Sequence, residues 1–261
     1  MREDNIINEA PLDMQEMLKS VYNFNFRFGN KKLLKKIIGS MAVLDRKFFV
    51  RNKEVAYDDN ALPVGKGQTI SQPSTVARML ILADLKEGES VLEVGTGSGW
   101  NASLISFLVY VRNDRISEHP KIPNKTQEFF DPGSVISVER IGELVERAKL
   151  NIKNLGEHLK KNNSEDYLKL ENLYLLKEDI FAERSVWKRS FDKIIITAGI
   201  SGEESEEKVK KIAEELLKEN GILVCPYVSG PMVIFRKNGK LKREETKEQY
   251  VFVPLIEGEE S

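Results

Sequence analysis

The segment VLEVGTGSGW, residues 91–100, constrains this chain more than any other. Val91 to Val94 has the length and composition of a buried strand, and a helix is expected from about Asn101 to Val111. Between them Gly95, Gly97 and Gly99 allow a tight turn and the close approach of a ligand to backbone N–H groups. A dinucleotide fingerprint puts Gly or Ala where helix and strand pack closely, at position 100, and this chain has Trp100 there. Nicotinamide and flavin binding are therefore disfavoured. The loop also lacks the Gly-Lys-Ser/Thr ending of a nucleoside triphosphate loop, which argues against that chemistry too.

The rest of the chain repeats the strand and helix alternation. An apolar face of Leu33, Leu34, Ile37, Ile38 and Met41 marks a helical lead-in, and the loop-rich AYDDNALPVGKGQT follows it. Ser74 is a candidate N-cap for a helix carrying Val76, Met79, Leu80 and Ala83. After the glycine loop, Arg112 to Gly133 forms 22 mostly polar residues, a length that points to a lid, a binding loop or a disordered insert. SVISV reads as a strand, and Ile141 to Leu155 marks a helix that Gly156 can end. A second polar stretch, EHLKKNNSEDYLK, precedes the strands NLYLL and KIIIT. A helix from Val209 then stops at Asn220-Gly221 before GILVCPYV. MVIFRK and QYVFVPL are further strand candidates, joined through Asn238-Gly239 and a charged stretch. Short continuous apolar strands alternating with helices specify an α/β fold: one doubly wound, mostly parallel sheet with an N-terminal helical extension.

Composition narrows the chemistry. The 261 residues carry 40 basic and 41 acidic side chains, a net charge of -1, so no nucleic acid or anionic membrane partner is indicated. Lysine-bearing stretches such as LKKNNSEDYLKLE alternate with acids and read as solvated faces. One cysteine, Cys225, excludes an internal disulfide and a multi-thiolate zinc site, and His119 and His158 leave little for a metal, so none is expected. No stretch approaches the roughly 18 apolar residues of a membrane span, and MREDNIINEAPLD is too polar for a signal peptide. A cytoplasmic protein is expected.

Two more carboxylates follow strands as Glu93 precedes the glycine loop. Glu139 ends SVISVE, 42 residues after Gly97, where it can accept both hydroxyls of a ribose. Asp179 in LLKEDIF is suited to accept from an adenine amino group. A lone strand-end carboxylate is usually a solvated charge, and it is the recurrence after successive strands that indicates a cofactor. An acidic residue followed by Gly-x-Gly-x-Gly resembles motif I of the class I S-adenosylmethionine-dependent methyltransferases, whose fold is Rossmann-like.

With AYDDNALPVGKGQTISQPSTVARML, VLEVGTGSGW, SVISVERIGELVERAKLNIKNLG and FDKIIITAG taken together, the chain resembles the protein L-isoaspartyl O-methyltransferase family. QYVFVPLI is similar to that family's terminal strand, so the likeness runs from about Phe48 to Ile256. The resemblance implies that Ser71 of QTIS is the active-site hydroxyl and that S-adenosylmethionine is the cofactor, leaving as S-adenosylhomocysteine. It implies cofactor contacts from Thr69, Ile70, Glu93, Gly95, Thr96, Gly97, Ser98, Gly99, Glu139, Arg140, Asp179, Ile180 and Thr197. Residues 1–70 would be a helical and loop extension packing on a cofactor-binding domain over 71–261, with inserts near 112–133 and 157–170.

The implied activity is protein repair, with methylation of the side-chain carboxylate of isoaspartyl residues in damaged proteins and spontaneous closure of the ester to a succinimide. A carboxylate is already ionised at neutral pH, so its attack on a sulfonium methyl needs alignment and water exclusion, not a general base. Ser71 would orient the carboxylate. On the acceptor side Gln72 and Ser74 flank Pro73, and KEDIFAERSVWKRSFD lacks the family's Gly and Pro. Another carboxylate or small-molecule acceptor, or a non-catalytic cofactor-binding module, therefore stays open, as does the oligomeric state.

Overall fold

The computed structural model describes residues 7–112, 132–182, 190–258 and 260. Helix α1 (Leu12–Asn25) buries Met14, Met17, Leu18 and Val21, and α2 (Lys31–Val43) buries the expected face from Leu33 to Met41. Where the sequence suggests only loop, β1 (Leu62–Gly65) and β2 (Gln68–Ile70) pair as an antiparallel hairpin. Its turn residues, Lys66 at φ 53° and Gly67 at φ 69°, are both left-handed, which matches the twist of paired strands. Helix α3 (Pro73–Ala83) starts ahead of Ser74, with Gln72 at the N-cap position. The cap comes from outside the helix: Asp59 accepts from the backbone N–H of Ser74 at 2.8 Å and from its hydroxyl at 2.6 Å.

The α/β core follows as β3 (Val91–Val94), α4 (Trp100–Val109), β4 (Val135–Glu139), α5 (Gly142–Lys161), β5 (Leu173–Lys177), β6 (Phe191–Ile196), α6 (Glu203–Leu216) and β7 (Leu217–Pro226). The short β8 (Ser229–Gly230), then β9 (Met232–Asn238), β10 (Lys240–Glu245) and β11 (Tyr250–Val251), complete the described strands. Seven strands form the sheet in the order β10-β9-β7-β6-β3-β4-β5. The five from β7 to β5 run parallel, and β9 and β10 are antiparallel additions at one edge.

Side chains alternate between the two faces as the pleat requires. Val91, Val135, Ile195, Ile222 and Val224 join the core built with α1 to α5, so the N-terminal helices and the sheet share one hydrophobic interior. Leu92, Val94, Ile194, Ile196, Leu223 and Cys225 join the core covered by Val209, Ile212, Ala213 and Leu216 of α6. Strand order reverses on either side of β3, which puts a crevice outside the carboxyl ends of β3 and β6.

Several boundaries differ from the sequence reading. α5 runs through Gly156 to Lys161 because Leu155 and Leu159 continue its buried stripe, and Asn163 at φ 54° follows its end. The stretch 157–170, expected as an insert, is built from the end of this helix and a 3-10 turn, Glu165–Leu170, that buries Leu170. α6 ends at Leu216, and Asn220 at φ 64° lies inside β7 beside a shift in its pairing with β6. The charged stretch KLKREE is itself β10, joined to β9 at Asn238-Gly239; on an edge strand those charges face solvent and discourage pairing with another chain. QYVFVPL contributes only the two residues of β11, and an isolated bridge joins Pro254 to Gly199. Residues 113–131 of the 112–133 stretch lie outside the described residues.

Candidate active site

The crevice holds a cleft open to solvent at the ends of β3, β4, β5 and β6. Two glycines of the loop, Gly95 and Gly97, line it, and the third, Gly99, packs behind it. Gly95 has φ 98°, and a Cβ there would collide with the hydroxyl of Thr197, which donates to the Gly95 carbonyl at 2.7 Å. Gly97 has φ 53°, and the nearest atom to a Cβ there is the Thr69 carbonyl oxygen at 3.9 Å, so a side chain at 97 would extend into the cleft. Gly99 does not line the cleft. A Cβ on it would press on Ala148 and Ile152 of α5 at 3.2 and 3.1 Å, so its small size serves helix packing.

Glu139 ends β4 with both carboxylate oxygens engaged. Oε2 accepts from the backbone N–H of Gly97 and Oε1 from that of Ile141, each at 3.1 Å. The carboxylate is thereby fixed at the cleft wall against the glycine loop. Asp179 is held similarly: Oδ1 accepts from the Phe181 N–H at 2.9 Å and Oδ2 from that of Gly258 at 2.8 Å. Arg140 also lines the cleft, while its guanidinium donates to the Gly258 carbonyl at 2.8 Å and meets Glu260 at 3.1 Å. These contacts lace the segment after Val253 across the ends of β4 and β5, and hydrogen bonds from Gly199 to Val253 and from Leu255 to Gly199, both 2.7 Å, tie it to the end of β6.

Of the residues expected at a cofactor site, Thr69, Ile70, Gly95, Thr96, Gly97, Ser98, Glu139, Arg140, Asp179, Ile180 and Thr197 line this cleft, together with Ser71. Glu93 does not. Its side chain points to the face covered by α4, fully buried, where it accepts from Asn101 Nδ2 at 2.7 Å and from the Ser137 hydroxyl. Burial pushes this carboxyl up to about 8, the bonds from Ser137 and Asn101 oppose the rise, and Glu139 adds to it. Ser137 also shares a 2.6 Å hydrogen bond with Thr96, so Glu93 braces the glycine loop from behind.

Ser71 stands where two cavities meet. With Thr69, Thr197 and Val253 it lines both the cleft at the glycine loop and an adjoining groove. The Ser71 hydroxyl forms no hydrogen bond among the described residues. The groove is walled by Gln72, Thr75, Ser229 and Gln249 to Phe252, and none of its lining side chains is charged. Sequence reasoning put Gln72 on the acceptor side but missed the rest of this wall, as it missed Gln68, Trp100, Glu178, Ala198 and the segment from Val253 to Ile256 on the cleft side. For the part from Gln249 onward the apolar run QYVFVPLI was the one sign.

Comparison with known proteins gives the family and the fold. The family model for protein-L-isoaspartate(D-aspartate) O-methyltransferase matches residues 29–260. The protein-L-isoaspartate O-methyltransferase of Pyrococcus abyssi is 37% identical over 212 residues, covering 79% of this chain and 78% of its own. That of Fervidobacterium nodosum is 35% identical over 227 residues, covering 85% of this chain and 94% of its own. A Plasmodium falciparum structure bearing the same family name, solved with S-adenosyl-L-homocysteine, superposes with a TM-score of 0.69 at 23% identity over 93% of this chain and 98% of its own. With a family match across most of its length and a cleft at the switch point of a mostly parallel sheet, the chain belongs to the protein-L-isoaspartate(D-aspartate) O-methyltransferase family.

Proposed function

We propose that Ser71 orients the side-chain carboxylate of an isoaspartyl residue for methylation, and that the uncharged groove receives the damaged peptide. The protein is an S-adenosylmethionine-dependent O-methyltransferase acting on isoaspartyl residues. The observation that carries the assignment of roles is the position of Ser71, shared between cleft and groove.

The cleft fits the cofactor by its donor set. Its loop turns at glycines, leaving space for a ligand at Gly97, and carboxylates stand at the ends of β4 and β5. When bound, S-adenosylmethionine supplies a methyl group on a sulfonium, electrophilic enough for an unassisted carboxylate. Glu139 would hold the ribose hydroxyls and Asp179 the adenine side, both already fixed by backbone N–H groups. Ser71 would donate a hydrogen bond from its hydroxyl to one oxygen of the acceptor carboxylate, keeping its proton, and leave the other oxygen free to attack. The groove presents no lysine or arginine to that carboxylate, so it is aligned without being neutralised by an ion pair. No general base is called for. His158 lies against Phe48, at 5.3 Å between ring centroids, outside both cavities.

The substrates of this reading are isoaspartyl-containing proteins in the cytoplasm, a setting in keeping with a lone, fully buried Cys225. Among the described residues no helix is long and apolar enough to cross a membrane. The test is label transfer from S-adenosylmethionine to a peptide containing isoaspartate beside the same peptide containing aspartate. Base-labile label on the first alone is expected. Cofactor binding with no label on isoaspartyl peptides of varied flanking sequence would move the acceptor elsewhere.

A further inference from the structure

Arg46 is fully buried and forms no ion pair among the described residues. Its guanidinium is held by main-chain carbonyls instead. Nη1 donates to Ala56 at 2.8 Å and Asp58 at 3.1 Å, and Nη2 to Asn60 at 2.9 Å and Ser71 at 3.1 Å. Its Cζ lies over the ring of Trp100, 5.3 Å from the centroid, and the Trp100 indole N–H donates to the Leu44 carbonyl at 2.9 Å. Burial lowers the guanidinium to about 10, with Asp59 and Asp58 opposing, so it stays charged at neutral pH.

Enclosing a cation is costly unless its donors are well satisfied, and an apolar side chain would fill the same space without that cost. What a guanidinium adds is a planar fork that fixes several acceptors relative to one another. Here the acceptors are alternate residues of the loop before β1, whose Asp59 caps α3, and the residue that lines both cavities. Trp100 beneath the fork is the first residue of the helix leaving the glycine loop and itself lines the cofactor cleft.

We propose that Arg46 is a positioning residue for methyl transfer: its fork registers Ser71 against the loop before β1 and against Trp100, and so sets where the Ser71 hydroxyl meets an acceptor between the two cavities. The inference rests on the reading of Ser71 as the hydroxyl that orients the acceptor. Lysine at 46 keeps the charge but donates from one nitrogen, and cannot replace two nitrogens that together hold four carbonyls.

The experiment is a double-mutant cycle of Arg46→Lys and Ser71→Ala, reading kcat and KM for an isoaspartyl peptide and the affinity for S-adenosylhomocysteine by calorimetry. Arg46→Lys should lower kcat about tenfold with cofactor affinity within about twofold, and should have no further effect in the Ser71→Ala background. Equal loss in both backgrounds, an unchanged kcat, or parallel loss of cofactor affinity would overturn the role of Arg46 while leaving that of Ser71 standing. A silent Ser71→Ala single variant would instead overturn the reading of Ser71, and this inference with it. If the lysine variant melts below the assay temperature, Arg46→Gln, an uncharged amide donor, goes through the same cycle. Failure of both to fold would show that Arg46 holds the fold and not the serine, and would contradict the inference.

Discussion

The hydroxyl of Thr197, at the end of β6, donates to the carbonyl of Gly95, at the end of β3, and occupies the space a Cβ on Gly95 would need. This contact closes the switch point of the sheet beneath the glycine loop. Gly95→Ala must therefore both displace Thr197 and adopt φ 98° with a side chain. It should cost about 2–4 kcal/mol of stability and most of the cofactor affinity. Adding Thr197→Ala should recover only part of the loss, since the backbone strain stays. Urea denaturation with calorimetry checks both; full recovery in the double variant would show that the contact alone excludes a side chain.

Glu139 serves the fold and the ligand together. Because its oxygens accept from the N–H groups of Gly97 and Ile141, Glu139→Ala should weaken cofactor binding by about 1–3 kcal/mol and also lower ligand-free stability by about 1–2 kcal/mol. The strand-end position alone suggests only the first effect. Calorimetric affinity and melting without ligand separate the two, and an unchanged affinity would remove Glu139 from the ribose site.

Glu93 should set a slope in stability against pH. Its carboxyl is raised from the ordinary 4.5 to about 8, so the fold holds its proton more tightly than the unfolded chain does. That contribution is fully present below about 4.5 and is lost as pH rises to about 8. Glu93→Gln, similar in shape and neutral throughout, should flatten the decline and exceed the parent by about 2–4 kcal/mol above that range. Denaturant unfolding across the interval checks it, and an unchanged slope would contradict the assignment to Glu93.

What the sequence made legible was whatever depends on local pattern. The face from Leu33 to Met41, the buried strands VLEV, SVISV and KIIIT, and the glycine loop all show in composition and spacing. The hairpin of β1 and β2 was hidden because its turn is Lys66-Gly67 and lacks the Asn-Gly or Asp-Gly signal. β10 was hidden because KLKREE is charged at every position but Leu241, as an edge strand can be. Glu93 could be placed beside the loop but not behind it, since which face of a buried strand a side chain takes depends on its neighbours. The groove wall from Gln249 to Phe252 is brought to Ser71 only by tertiary packing, which no spacing encodes.

Gly97 should tolerate a methyl group better than Gly95 does, with the opposite emphasis in its effect. No atom lies nearer than 3.9 Å to a Cβ there, so Gly97→Ala should cost only about 1 kcal/mol, from its left-handed backbone. Its methyl group would extend into the cleft and lower cofactor affinity about tenfold or more. Paired melting and calorimetry test this, and unchanged affinity in the folded variant would remove the loop from the cofactor site.

The most direct measurement is methyl transfer by Ser71→Ala to an isoaspartyl peptide and its aspartyl twin, with cofactor affinity measured on the same preparation. Ser71 touches the acceptor side of the junction, so kcat should fall about tenfold or more while affinity for S-adenosylhomocysteine stays within about twofold, and the aspartyl twin should remain unlabelled throughout. Undiminished turnover by the folded variant, or an equal loss of cofactor affinity, would contradict the placement of Ser71 as the hydroxyl that orients the acceptor carboxylate.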